Sequence, residues 1–249
     1  DLDEWRTTEP VFTEEERAAL LDGTDGQRNL CIDDMAAAEL YVIGPPKTGT
    51  TSLCSALRYS PSTVFPISTR IYLKDKAQPG RWKEGKFFGI KSQNTNAMYD
   101  YGRCQKEARR IAIDGSARYS EDPRVPSAMA HAYGPAKHRL KFVYMLRHPL
   151  ARLVSQVEHS HAKSWCRDIE RLSFDAICKR VVMDMAEKWF GGKMGCSDTV
   201  EGSMYPHHID RWFGSFDPSQ FWFIPFRFLT EPGVDGRPTE HVAETIWKL

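Results

Sequence analysis

The stretch "GPPKTGTTSL", Gly44 to Leu53, decides how this sequence folds. Before it runs "AELYVIG" (Ala38 to Gly44), which reads as a short buried strand, and out of it runs "TSLCSALRYS" (Thr51 to Ser60), which reads as a helix. A nucleoside-triphosphate loop has the form G-x-x-x-x-G-K-[ST]. Gly44, Gly49 and Thr51 fit that form, but Thr50 stands at the lysine position and Lys47 comes three residues early. Three readings are open here: a decayed ATP loop, an ordinary turn, or a loop for a different phosphate-bearing donor.

A turn between a strand and a helix N-terminus aims free backbone N–H groups and the positive end of the helix dipole at one spot. Lys47 adds a mobile positive charge, and Thr48, Thr50, Thr51 and Ser52 add hydroxyl donors. A plain turn has no use for so many donors. The displaced lysine moves its ammonium away from an ATP cradle, although Asp114, at the end of "IAID", could mimic a magnesium-holding acid. The sequence therefore favours a phosphate loop for another donor.

Outward from this loop, the same strand, turn and helix order recurs. "LKFVYMLRHP" is an apolar strand ending at Arg147. "PLARLVSQVEHSHA" follows as a helix opened by Pro149, with Leu150, Leu153, Val154 and Val157 at helical spacing. "RRIAIDGS" supplies a further strand between the two units. Strands alternating with helices predict an α/β fold, a central parallel sheet flanked by helices, with ligands at the carboxyl ends of the strands. Upstream, Thr13 and Glu16 form a capping box that predicts a short helix from Thr13 to Leu21, and residues 67–86 read as a loop insertion. The organisation expected is an acidic N-terminal extension, 1–39, and one domain, 40–249.

A chain of 249 residues with 41% hydrophobic residues can bury the core of one such domain. Its net charge of +1 argues against a bulk nucleic-acid binder. The charge is unevenly spread: residues 1–39 hold twelve Asp/Glu against three Arg, and residues 67–110 hold eleven Lys/Arg against four acids, a stretch suited to an anionic ligand. The sequence contains no apolar run long enough to span a membrane and opens with no signal pattern, so membrane contact is not expected from it. Six cysteines, Cys31, Cys54, Cys104, Cys166, Cys178 and Cys196, include no C-x-x-C pair and fix neither a pairing nor a redox compartment. His159 and His161 diverge on a helix, and His207 and His208 are adjacent, so no metal site is expected.

"GPPKTGTTSL" resembles the 5′-phosphosulfate loop of the sulfotransferases that use 3′-phosphoadenosine 5′-phosphosulfate, in the heparan-sulfate and carbohydrate branch, where the loop reads G-x-x-K-T-G-T-T. "LRHPLARLVS" resembles the family's 3′-phosphate motif, an arginine at a strand end and a serine eight positions later, here Arg147 and Ser155. "DGSARYS" resembles a segment lining the donor and acceptor cleft, with Gly115 where the N-sulfotransferase branch has lysine. "MYPHHIDRWFGSFDPSQFWFIPFRFLTEP" resembles the C-terminal helix and strand, with Tyr205, Ile209, Arg211 and Trp212 in the family's positions. The likeness runs from about Leu40 to Pro232. The family usually continues into a basic, glycine-bearing loop that closes over the donor, and the sequence given stops at "WKL" before one.

The resemblance implies a P-loop-like sulfotransferase fold and assigns roles. Lys47 would neutralise the leaving oxygen, Thr48, Gly49, Thr50, Thr51 and Ser52 would cradle the 5′-phosphate, and Arg147 and Ser155 would take the 3′-phosphate. The co-substrate would be 3′-phosphoadenosine 5′-phosphosulfate, with no metal. In the carbohydrate branch the general base is a glutamate in a stretch like E-x-x-F-F, and "KEGKFFG" offers Glu84 before Phe87 and Phe88, about twenty residues later than usual. His159, one helical turn after Ser155, is the second candidate. The expected acceptor is a hydroxyl or amine of a carbohydrate. A small-molecule metabolite is the alternative acceptor; a P-loop nucleotide kinase or NTPase and a non-catalytic nucleotide-binding module are the alternatives of other classes. The resemblance suggests a Golgi lumen; the residues themselves leave the compartment open, the cytoplasm included.

Overall fold

The structure, a computed structural model, describes residues 29–32, 35–60, 63–66, 84–85, 88, 101–104, 110–161, 179 and 201–230. The expected helix from Thr13 to Leu21 and all but Glu84 and Gly85 of the 67–86 insertion lie outside these residues.

Two short strands, β1 (Cys31–Ile32) and β2 (Met35–Ala36), pair antiparallel, and five form the main sheet. Those five are β3 (Ala38–Gly44), β4 (Thr63–Val64), β5 (Ile111–Asp114), β6 (Lys141–Leu146) and β7 (Phe221–Pro225), in the order β4-β5-β3-β6-β7 and parallel throughout. Among the described residues the α-helices are α1 (Thr50–Arg58), α2 (Val125–Tyr133), α3 (Pro149–His161) and α4 (Tyr205–Phe213). The α/β reading thus holds, and both strand-to-helix units stand where the apolar runs put them.

Strand β3 is buried along its whole length, as a strand covered on both faces must be. Side chains alternate across a sheet. Tyr41 and Ile43 join one core with Tyr133, Phe142, Trp212 and Phe221, while Leu40 and Val42 join the other with Leu53, Leu57, Val143 and Met145. The chain builds β4 and β5 on one side of β3, then crosses to build β6 and β7 on the other. At such a reversal the connections leave in opposite directions and open a crevice at the strands' carboxyl ends. The loop after β3 and the turn after β6 both emerge there.

At the start of helix α3 the most buried side chain is not an apolar one. Leu150 is 59% exposed, Leu153 and Val154 are half-buried, and the buried side chain is Arg152; that of Val157 is not among those described. A charge this deep needs partners, and Arg152 has three. Its Nε donates to the carbonyl of Pro46, Nη1 to Ser203 Oγ, and Nη2 to Glu121 Oε1. Polar attraction, not apolar packing, sets the rotation of this helix at its start.

Residues 29–38 pack into the same body as the sheet. Leu30, Ala36, Ala37 and Ala38 are core residues, and Asn29 Oδ1 accepts from the N–H of Arg110. Cys31 and Cys104 form a disulfide across a separation of 73 residues, while Cys54 is buried and forms no disulfide. A cross-link removes loop-closure entropy from the unfolded chain, about 4 kcal/mol for a loop of this size. We therefore expect Cys31→Ser to lower the unfolding free energy in urea by up to that amount, and dithiothreitol to do the same to the unaltered chain. Equal stability of the two chains in the absence of reductant would mean that packing alone holds the β1-β2 ribbon.

Candidate active site

The loop after β3 is built on backbone conformations that leave little choice of residue. Gly44 and Gly49 have φ of 114° and 93°, and Lys47 itself sits at 70°, a region that L side chains seldom adopt. Space is equally short. A Cβ on Gly44 would lie 1.8 Å from the carbonyl oxygen of Ala117, and one on Gly49 would lie 2.6 Å from Leu229 Cδ1. The loop is thus wedged between the segment after β5 and the turn after β7. A lysine held in a left-handed conformation is a strained feature of the kind that clusters at functional sites.

Gly49 caps α1 without any side-chain cap bond, and the first turn carries no acidic residue. The amino end of the helix therefore keeps its positive potential for an outside anion. Thr51 and Ser52 are exposed at this end, and Thr50 is buried. Thr48 differs from its expected use. It is fully buried, and its hydroxyl donates to the carbonyl of Pro45 at 2.6 Å, so what it can offer a ligand is its backbone N–H.

Arg147 follows β6 directly and reaches the loop. Its Nη1 donates to the carbonyl of Lys47 at 2.9 Å, and its guanidinium lies 4.5 Å from the ring centre of Phe226. Its own carbonyl accepts from the hydroxyl of Tyr205 at 2.7 Å. The two motifs, 100 residues apart in sequence, are therefore in direct contact. Ser155, half-buried, lies further along α3, and His159 one turn beyond it is exposed.

Asp114 ends β5 on the other side of β3, in register with Tyr41. It is buried, and burial pushes its carboxyl above the usual carboxylate range against the pull of its hydrogen bonds. Its Oδ1 accepts from the N–H of Gly85, the N–H of Ser116 and the hydroxyl of Ser116, and its Oδ2 accepts from Tyr119. Tyr119 in turn accepts from the N–H of Phe88. Glu84, half-buried, is thus held by its neighbour against the carboxyl end of β5, and Phe88 is packed among Tyr41, Tyr119 and Tyr133. Phe87 lies outside the described residues.

Of the adjacent histidines, His207 is exposed and His208 is engaged within the protein. His208 is buried, with Nε2 on the carbonyl of Glu201 and Nδ1 facing Arg211. Two guanidinium groups and one carboxylate went unread for their structural part: Arg152, Arg211 and Asp114. Arg152 left no signal in the apolar spacing, which sets it on the face away from Leu150, Leu153 and Val154.

No protein-family profile matches the chain. Curated relatives do, among them the bifunctional heparan sulfate N-deacetylase/N-sulfotransferase 1 of Caenorhabditis elegans, 25% identical over 186 residues, and that of Caenorhabditis briggsae, 27% identical over 190. Each alignment takes in 75% of this chain but only 19% and 20% of the relative, so the chain spans about a fifth of their length. Among solved structures, a sulfotransferase from Alicyclobacillus acidocaldarius superposes with a TM-score of 0.54, at 19% identity, over 79% of this chain and 76% of that one. At that identity the likeness speaks for the fold. In sequence the chain is thus similar to sulfotransferases of the heparan-sulfate branch, and its fold is like that of a sulfotransferase of known structure.

Proposed function

We propose that the chain transfers a sulfuryl group from 3′-phosphoadenosine 5′-phosphosulfate to a hydroxyl or amine of a carbohydrate. The observation that carries this reading is the bond from Arg147 to the carbonyl of Lys47, which joins a strand-to-helix phosphate loop to a second cationic motif at one crevice. A donor with two separate phosphate groups needs two such cradles side by side. The heparan sulfate in the names of the curated relatives supports a carbohydrate acceptor. So does the basic run at 67–110, most of it outside the described residues.

In this reading the acceptor oxygen or nitrogen attacks sulfur, the bond from sulfur to the 5′-phosphate oxygen breaks, and the acceptor proton passes to a base. Charge stabilisation and alignment supply most of the acceleration, as in phosphoryl transfer. Lys47 neutralises charge on the departing oxygen. The N–H groups at the start of α1 with Thr50, Thr51 and Ser52, and the N–H groups of Thr48 and Gly49, take the 5′-phosphate; Arg147 and Ser155 take the 3′-phosphate. Glu84 is the base, supported by its tether beside Asp114 on the far side of β3, whereas His159 is an exposed residue on α3. The kinase alternative needs an acid free to hold magnesium. Asp114, the residue in that place, already accepts from four protein donors, which weighs against it.

Adenosine 3′,5′-bisphosphate should raise the melting temperature without magnesium, and ATP with magnesium should do so much less. At 100-fold excess over its dissociation constant a ligand stabilises by about 2.7 kcal/mol, well within reach of a thermal melt. A preference for ATP and magnesium would sink the sulfotransferase reading.

The two ends of the donor should separate kinetically. Arg147→Ala removes charge-assisted bonds worth roughly 1.5–3 kcal/mol, so donor binding should weaken by about tenfold or more. Lys47→Ala, which keeps a Cβ at the strained position, should lower turnover by about 10²–10³ at saturating donor. Full activity of Lys47→Ala under saturation would remove lysine from the chemical step.

Glu84→Gln keeps shape but cannot take a proton, so turnover should fall by about 10²–10⁴ with donor binding barely changed. His159→Ala should cost less. The reverse order of these two effects would make His159 the base.

A further inference from the structure

Three successive carbonyls of the loop are each claimed by a donor on the inner side. Pro45 accepts from the Thr48 hydroxyl, Pro46 from Arg152 Nε, and Lys47 from Arg147 Nη1, at 2.6, 2.9 and 2.9 Å. In a trans peptide unit the N–H points opposite to the C=O. Drawing the carbonyls of Pro46 and Lys47 inward therefore turns the N–H groups of Lys47 and Thr48 the other way, into the anion-binding concavity that consecutive N–H groups of alternating handedness make. The left-handed backbone at Lys47 is part of the same arrangement.

Of these three donors, Arg152 is the one the catalytic reading leaves unused. It is 1% exposed, so it cannot reach a ligand. Each of its three guanidinium nitrogens donates to protein: Nε to Pro46 in the loop, Nη2 to Glu121 in the turn after β5, and Nη1 to Ser203 in the turn before α4. The site is built to admit it. A Cβ on Gly202 would fall 2.0 Å from Arg152 Nη2 and 2.3 Å from Glu121 Oε1.

We propose that Arg152 is a positioning residue for the donor: by holding the Pro46 carbonyl inward it aims the Lys47 and Thr48 N–H groups at the 5′-phosphate, with Glu121 and Ser203 fixing the guanidinium in place. This rests on the reading of the loop as the donor's cradle. The geometry separates this part from that of Arg147, which is half-buried and follows directly on the strand. Arg152 acts on affinity through the backbone, and no part of it touches the reacting atoms.

The test is titration of adenosine 3′,5′-bisphosphate into the unaltered chain, Arg152→Met, Arg152→Lys and Glu121→Gln, at a temperature where each is folded, at low and at high salt. Arg152→Met keeps length and apolar bulk but offers no donor, so the dissociation constant should rise by about tenfold to a hundredfold. That factor should persist at high salt, because a lost geometric constraint is not screened as a lost long-range charge is. Arg152→Lys has a single donor group for three partners and should recover only part of the affinity. Glu121→Gln, which leaves arginine in place but loosens it, should give a smaller loss and serves if Arg152→Met fails to fold. With acceptor present, the donor KM should rise while kcat at saturating donor changes by less than about threefold. Unchanged affinity in folded Arg152→Met, or in Glu121→Gln where Arg152→Met does not fold, overturns the positioning role while leaving the donor reading intact. So does a loss that vanishes at high salt or is fully restored by lysine. If the unaltered chain does not bind the bisphosphate at all, the donor reading fails and takes this inference with it.

Discussion

The carboxyl end of the sheet is organised by one bond, from the guanidinium of Arg147 to the carbonyl of Lys47. It crosses between β3 and β6, the neighbours at which the strand order reverses. Without it the crevice would have two unrelated walls. With it, the strained backbone of Lys47 has a fixed partner, and Arg147 is itself fixed through its ring contact with Phe226 and the bond that its carbonyl receives from Tyr205. A chemistry that depends on alignment more than on reactive groups needs this kind of cross-bracing.

The opposite wall uses a carboxylate in place of a guanidinium. Asp114 gathers N–H and hydroxyl donors from residues 85, 116 and 119, and Tyr119 extends the network to residue 88. The low-dielectric setting that raises its proton affinity also makes each unmet bond costly, so the network is held complete or not at all. The segment carrying Glu84 is in this way fixed to the end of a core strand.

Much of this frame was legible before any coordinates. The apolar runs "AELYVIG" and "KFVYML" could only be buried strands, and each runs straight into a phosphate-type motif, so sheet type and crevice followed from local pattern. Arg152 went unread for a physical reason: helical periodicity counts apolar residues, and the partner that draws this guanidinium in, Glu121, lies 31 positions away. The hydroxyl of Thr48 was credited to a ligand because sequence offers no view of a carbonyl three residues back. The Cys31–Cys104 pair was equally hidden, since six cysteines admit many pairings and spacing favours none. The tether of Gly85 to Asp114 spans 29 positions, and no periodicity in the sequence links the two.

The wedging of the loop at both ends has a consequence for how such a sequence can drift. Ala117 presses on Gly44, and Phe226 with Leu229 presses on Gly49, so the span between them is a fixed ruler. Inserting or deleting one residue within it would carry Lys47 out of register with both arginines at once. Replacement just beyond the span is another matter, since Thr51 and Ser52, past the second glycine, stand open to solvent. Descendants of this chain can therefore alter the chemistry at the start of the helix side chain by side chain, but they inherit the length of the loop before it.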